Sequence, residues 1–192
     1  VAGWATSISP GPANEANQTL SFLVSNDNSA LFTVPPAVAP NGTLTYTPAA
    51  NSNGLATVTV QLRDNGGTAN GGVDTSAPQT FTITVLAVND APSFTVGGNV
   101  TVLEDSGAYT AAQATGLSAG PADESGQTLT FLVSNNNAGL FAAPPALAAN
   151  GTLTFTPAPN ANGSATVTVQ LQDNGGTVNG GVDTSAPQTF TI

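Results

Sequence analysis

An all-β chain of tandem seven-stranded antiparallel sandwiches is predicted by three observations. Thr alternates with Leu, Phe, Val or Ile in short runs such as ATVTVQL (165–171), the period-two pattern of a strand with one buried face. Gly (21) and Pro (14) punctuate these runs and would break helices of ordinary length, and no apolar spacing of helical period competes. Residues 1–83 align without a gap on residues 110–192, with roughly 60 identical positions. The offset of 109 residues is far longer than a solenoid repeat and matches an independently folding domain.

The complete repeat supplies its strands in order. SFTV together with NVTVL (93–103) alternates around a Gly-Gly break, and AYTAAQATGL (108–117) follows after a turn. TLTFLV (128–133) places Leu129, Phe131 and Val133 on one face. LFAAPPAL (140–147) is a weak strand, because two prolines remove ladder donors. GTLTFTP (151–157) directs Leu153 and Phe155 inward, ATVTVQL directs Val167, Val169 and Leu171, and QTFTI (188–192) directs Phe190 and Ile192. The first repeat offers Leu20, Phe22, Leu44, Tyr46, Val58, Val60, Phe81 and Ile83 at matching positions. The expected organisation is a repeat lacking its first strand at 1–88, a linker at 89–92 and a complete repeat at 93–192. The chain thus reads as a window of a longer protein, or as a filament subunit whose open edge accepts a strand from a neighbour.

Composition removes whole classes of function. The chain has no Cys, His, Lys or Met, and its one basic residue, Arg63, stands against eleven acids for a net charge of −10. Ser-His-Asp and Cys-His nucleophile systems, nitrogen- and sulfur-ligated zinc, and thiol redox chemistry are therefore excluded. One Arg cannot neutralise phosphates, so nucleic acid and anionic membranes are poor partners and cations are better ones. No 18-residue apolar run is present, so no membrane insertion is expected, and VAGWATSISP lacks a basic start and long apolar block. A Cys-free, Asn/Thr/Gly-rich composition fits an extracellular bacterial protein.

DNGGTANGGVDTSAPQTFTI (64–83) recurs at 173–192 with one substitution. It joins the last two strands, and Gly66, Gly67, Gly71 and Gly72 are expected to supply positive φ. It lacks the ligand spacing and terminal Glu of an EF-hand, and carries only one imperfect fragment per repeat of the calcium-binding nonapeptide. VDTS at 73–76 and 182–185 invites comparison with a paired-aspartate protease, but Asp74 and Asp183 belong to separate repeats rather than to the halves of one cleft. The five Asn-x-Ser/Thr sequons, at Asn17, Asn41, Asn99, Asn150 and Asn162, are ordinary in so Asn- and Thr-rich a chain.

Read with its neighbours, VQLRDNGGTANGGVDTSAPQTFTITVLAVNDAPSF resembles the end of a bacterial cadherin-like or Ig-like tandem repeat of large RTX-type surface adhesins. VNDAPSF (88–94) is similar to the cadherin linker Asp-x-Asn-Asp-Asn-Ala-Pro-x-Phe, and VTVLEDSGAY and GPADESGQTLTF extend the likeness across the repeat. The resemblance implies a Greek-key sandwich and a calcium site at the junction of consecutive domains, built from oxygen ligands. Carried over by position, Asn89, Asp90, Asp123 and Asp173 are the metal candidates. Glu104 resembles the first-strand Glu that serves the opposite end of its own domain, while Asp105 and Glu124 are neighbours without an assigned role. Ala87 and Ala91 stand where the linker pattern has Asp and Asn, NANG (160–163) replaces an acidic motif, and Asn14 stands where the second repeat has Asp123, so fewer ligands are expected.

The expected function is a non-enzymatic structural repeat: a spacer or fibre segment of a bacterial cell-surface adhesin, rigidified by calcium and partnered by neighbouring repeats. The alternatives are a filament assembled by strand donation and a carbohydrate-binding module. The last would need an aromatic platform, yet the chain has one Trp and two Tyr, and Trp4 is matched by Gln113 in the second repeat.

Overall fold

The computed structural model describes residues Val1–Ile192, which divide into two compact units, Val1–Ala87 and Val88–Ile192. Both are all-β, with thirteen strands, no α-helix and six three-residue 3-10 turns.

The first unit contains β1 (Ser21–Asn26), β2 (Phe32–Val38), β3 (Leu44–Pro48), β4 (Gly54–Arg63) and β5 (Gln79–Val85). One sheet has the order β1-β4-β5 and the other pairs β2 with β3, all antiparallel. Leu31, Phe32, Val38, Leu44, Ala56, Val58, Val60 and Ile83 form the core between them.

The second unit contains β6 (Ser93–Val96), β7 (Tyr109–Ala112), β8 (Ala114–Ser118), β9 (Thr130–Asn135), β10 (Phe141–Leu147), β11 (Thr152–Pro157), β12 (Thr166–Gln172) and β13 (Gln188–Thr191). Sheet β13-β12-β9 packs on sheet β10-β11-β7, and β6 pairs with β8. The alternating pattern places Leu153, Val167, Val169 and Leu171 at 0 % exposure, while Leu129 and Val133 pack at the margin. Thr and Gln at the intervening positions face outward, as the period requires.

Eight strands replace the seven expected of this unit, because the run 108–117 breaks at the buried Gln113. Its first half joins β11 and its second half joins β6. NVTVL forms no strand either: after Gly97 and Gly98, Val100 N–H donates to Thr191 O at 2.9 Å and Asn99 Oδ1 accepts from Thr191 N–H at 2.9 Å. The proline-bearing β10 does pair with β11, with two register shifts around Ala143. Tyr46, predicted inward, remains 36 % exposed, whereas its counterpart Phe155 is 2 % exposed.

One difference between the repeats puts a carboxylate where the other has a neutral amide. Thr57 N–H donates to the Asp27 carboxylate at 2.7 Å, and this bond chiefly holds the carboxyl below its usual range. The second unit makes the same bond from Thr166 N–H to the neutral Asn136 amide at 2.8 Å. A lowered folded-state pKa gives stability that is present above the unfolded value of 3.8 and lost as pH falls through the folded value. Asp27→Asn is therefore expected to leave the first unit's midpoint at pH 7 nearly unchanged and to flatten its decline below about pH 4, measured by thermal melts across the acid range.

Candidate functional site

Five sequence-predicted metal residues lie in the second unit, and the fold gathers some of them through a glycine-rich loop. Asn89 is buried against the β12–β13 loop, where its Nδ2 donates to Asp173 Oδ1 at 2.9 Å and to Val182 O at 2.8 Å. Gln127 Nε2 donates to Asn89 Oδ1 at 2.7 Å, and Asn89 O accepts from Val182 N–H at 2.9 Å. Asp173 Oδ1 also accepts from Gly175 N–H at 2.9 Å. Every polar group of Asn89's side chain is thus used.

The glycines of the repeated loop have two different duties. Gly176 and Gly180 take positive φ of 79° and 86°, matched by Gly67 and Gly71. Gly175 and Gly181 do not: a Cβ on Gly175 would overlap Asn89 Oδ1, and one on Gly181 would stand 2.9 Å from Asn89 Cβ. Their counterparts Gly66 and Gly72, predicted to supply positive φ, likewise do not, whereas Gly67 and Gly71 do.

A second pair of contacts lies at the linker. Glu124, on the 3-10 turn Ala122–Glu124, accepts from Asp90 N–H through Oε1 at 2.8 Å. Gly120, at φ 156°, leaves room for Glu124 Oε2, which a Cβ there would strike. Asp90 and Asp123 are exposed, Asp123 being on the same turn. Glu104 is not brought to these residues; it lines a cleft of about 390 Å³ with Leu103, Asn162 and Ile192.

Sequence reasoning left Glu124 without a role and did not name Gln127. Their signal was the recurrence of Glu and Gln three residues apart at Glu15 and Gln18. In the first unit Asp64 Oδ1 again accepts from Gly66 N–H, at 2.8 Å.

The electrostatics are one-sided. All seven acids of the second unit (Asp90, Glu104, Asp105, Asp123, Glu124, Asp173, Asp183) lack a basic residue in that unit. Asp173 and Glu124 are each 6 % exposed, and Asp173 Oδ2, Glu124 Oε2 and Gln127 Oε1 have no hydrogen-bond partner. A buried carboxylate oxygen without a donor is costly, and a hard cation is the chemical remedy. The donor set, all oxygen, therefore fits calcium in kind. No three acidic side chains converge closely enough to hold an ion by themselves.

Asp74 and Asp183 serve the loop instead. The Thr75 hydroxyl donates to Asp74 Oδ1 at 2.9 Å and chiefly lowers its pKa, with a further contribution from Arg63 at 3.3 Å. In the second unit Thr184 and Gln172 donate to Asp183 in the same way.

Comparison with known proteins gives concordant results. The family model described as "Cadherin-like domain" matches residues 88–186, and "Bacterial Ig domain" matches residues 5–84. The human protocadherin-24 EC1-2 structure aligns with TM-score 0.54 at 16 % identity, covering 92 % of this chain and 82 % of that one. The human mucin-like protocadherin EC1-2 structure aligns at 0.47 and 16 % identity, covering 90 % and 82 %. At this identity the first of these likenesses concerns the fold alone. No curated protein matches the chain.

Proposed function

Because the chain belongs to the cadherin-like domain family, matched over residues 88–186, we propose that it is a non-enzymatic extracellular structural repeat. The reading is a spacer or fibre segment of a bacterial cell-surface adhesin, working beside further repeats of its own kind. Support comes from the bacterial Ig match over 5–84, the duplication of one sandwich, and the lack of His, Cys and Lys for common catalytic systems. No helix is long and apolar enough to cross a membrane.

One observation carries the calcium part of the proposal: two buried carboxylates, Asp173 and Glu124, each keep an oxygen without a donor at the end of the unit where Asn89 and Asp90 enter. These two, with the exposed carboxylates of Asp90 and Asp123, would hold the ion, and main-chain oxygens and water would complete six to eight ligands. A bound calcium supplies positive charge to a unit that has none. Asn89 orients Asp173, and Asp90 N–H orients Glu124, so both carboxylates are held in place beforehand. Glu104, set apart from them, would serve a separate site.

Thermal melts in calcium and in chelator test this. Saturating calcium at 100 times its dissociation constant raises stability by about 2.7 kcal/mol, or roughly 10–20 °C in the second unit's midpoint. An unchanged midpoint, or an equal shift in an Asp173→Asn variant, would refute calcium binding at this end.

A further inference from the structure

We propose that Asn179, with its duplicate Asn70, is a site of spontaneous covalent modification, and that conversion at Asn179 loosens the Asn89 anchor. Asn-Gly occurs eight times in the chain, at four positions of each repeat: Asn41, Asn53, Asn65 and Asn70 in the first, Asn150, Asn162, Asn174 and Asn179 in the second. In such a pair no Cβ shields the glycine nitrogen from the Asn side chain. The Gly N bonds to Asn Cγ, the Cγ–Nδ2 bond breaks, and Nδ2 leaves as ammonia with the proton of the Gly N–H. Water then opens the cyclic imide at either carbonyl. The products are aspartate and isoaspartate, the latter with its main chain running through Cγ and one carbon longer.

The fold treats these pairs differently. At Asn41 and Asn150 the side-chain oxygen accepts from Thr43 and Thr152 N–H, each at 3.1 Å, while Gly42 and Gly151 N–H donate to Ala39 O and Ala148 O, each at 2.8 Å. At Asn65 and Asn174 it accepts from Thr19 and Thr128 N–H at 2.9 and 2.8 Å, while Gly66 and Gly175 N–H donate to Asp64 and Asp173 Oδ1 at 2.8 and 2.9 Å. Both reacting groups are held at these four sites, so ring closure there waits on local opening. Asn53 and Asn162 lie just ahead of β4 and β12. Asn70 and Asn179 stand exposed, with Gly71 and Gly180, at the tips of the duplicated loops. Each is central in a four-residue turn closed at 3.1 Å, by Gly72 N–H to Ala69 O or by Gly181 N–H to Val178 O, and φ is positive at both central residues. Asn-Gly is the pair that such turns prefer, so the loop's own geometry keeps the reactive dipeptide at its tip.

At Asn179 the product has a mechanical consequence. Val182 N–H donates to Asn89 O at 2.9 Å, and Asn89 Nδ2 donates to Val182 O at 2.8 Å. Gly181 lies so close that a Cβ on it would stand 2.9 Å from Asn89 Cβ. An extra main-chain carbon between residues 179 and 180 displaces Gly181 and Val182 by up to about one bond length, and this contact has no room to absorb the shift. Asn89 in turn donates to Asp173 Oδ1, so the loss of its seat reaches the buried carboxylate. The product also adds an eighth acid to a unit without a basic residue. None of these steps involves a metal ion, so the inference stands apart from calcium binding.

Mass spectrometry of the full chain, aged at neutral pH in chelator and digested with chymotrypsin, tests the site, with electron-based fragmentation separating isoaspartate from aspartate. Conversion at Asn70 and Asn179 is expected to run at least about tenfold faster than at Asn65 and Asn174. In concentrated urea the four rates are expected to converge, because only the dipeptide then counts. Equal rates in the folded chain, or no conversion at Asn70 and Asn179, would overturn the proposal. The form carrying isoaspartate at position 179, resolved by chromatography, is expected to melt at least about 5 °C lower in its second unit. Asn179→Asp, with the same charge and a normal main chain, should stay within about 2 °C of the unmodified chain. An isoaspartate form that melts with the unmodified chain, or an equal fall in Asn179→Asp, would refute the link to Asn89.

Discussion

Leu171→Ala is expected to destabilise the second unit by about 3 kcal/mol, lowering its midpoint by roughly 10–20 °C, whereas Leu62→Ala should cost the first unit about half as much. The two leucines occupy the same position in nearly identical sequences, on β12 and β4. Leu171 is fully enclosed, within the cluster that holds Phe94, Phe131 and Val169. Removing its side chain leaves a cavity that packed neighbours cannot fill. Leu62 is only half-buried beside Trp4 and Phe22, so truncation there forfeits less buried area. Calorimetry resolves the two units when Trp4 fluorescence marks the transition of the first. Equal losses in both units would show that the difference in burial between the two leucines does not set the cost.

Asn89→Ala is expected to cost the second unit about 2–4 kcal/mol, more than its small apolar content would imply. The change removes one side chain and leaves three partners behind. Val182 O loses the Nδ2 donor, Gln127 Nε2 loses its acceptor, and Asp173 loses one of the two donors to Oδ1 while its Oδ2 already has none. Each buried polar group left unpaired carries its own desolvation cost, and a carboxylate carries the most. The vacated space between Gly175 and Gly181 also stays empty, because neither glycine has a side chain to relax into it. A chemical-denaturation curve with the m-value retained and the midpoint lowered is the expected result; a shift below about 0.5 kcal/mol would show that the network contributes little.

Much of the fold was legible because strand periodicity is local. Alternation in ATVTVQL places Val167, Val169 and Leu171 on one face whatever the rest of the chain does, and all three are fully buried. The break at Gln113 was not legible, since no proline or glycine stands at that position; the change of partner from β11 to β6 comes from closing the sandwich. The candidate site was legible in part. The linker motif brought Asn89, Asp90, Asp123 and Asp173 into view, yet nothing local distinguishes the buried Glu124 from the exposed Asp123 beside it.

The amino-acid sequence by itself determined the β class, the duplication, the one-sided charge and the lack of the His and Cys that common nucleophile systems need, because these are properties of composition and local pattern. Only the tertiary structure decided that Asn89 meets Asp173 across 84 residues, and that Gly175 and Gly181 make room rather than turn the chain. It also decided that Leu171 is fully enclosed while Leu62, at the same place in the first repeat, is only half-buried. The reason is that convergence depends on which strands pair and what lies over them, and no local period records that.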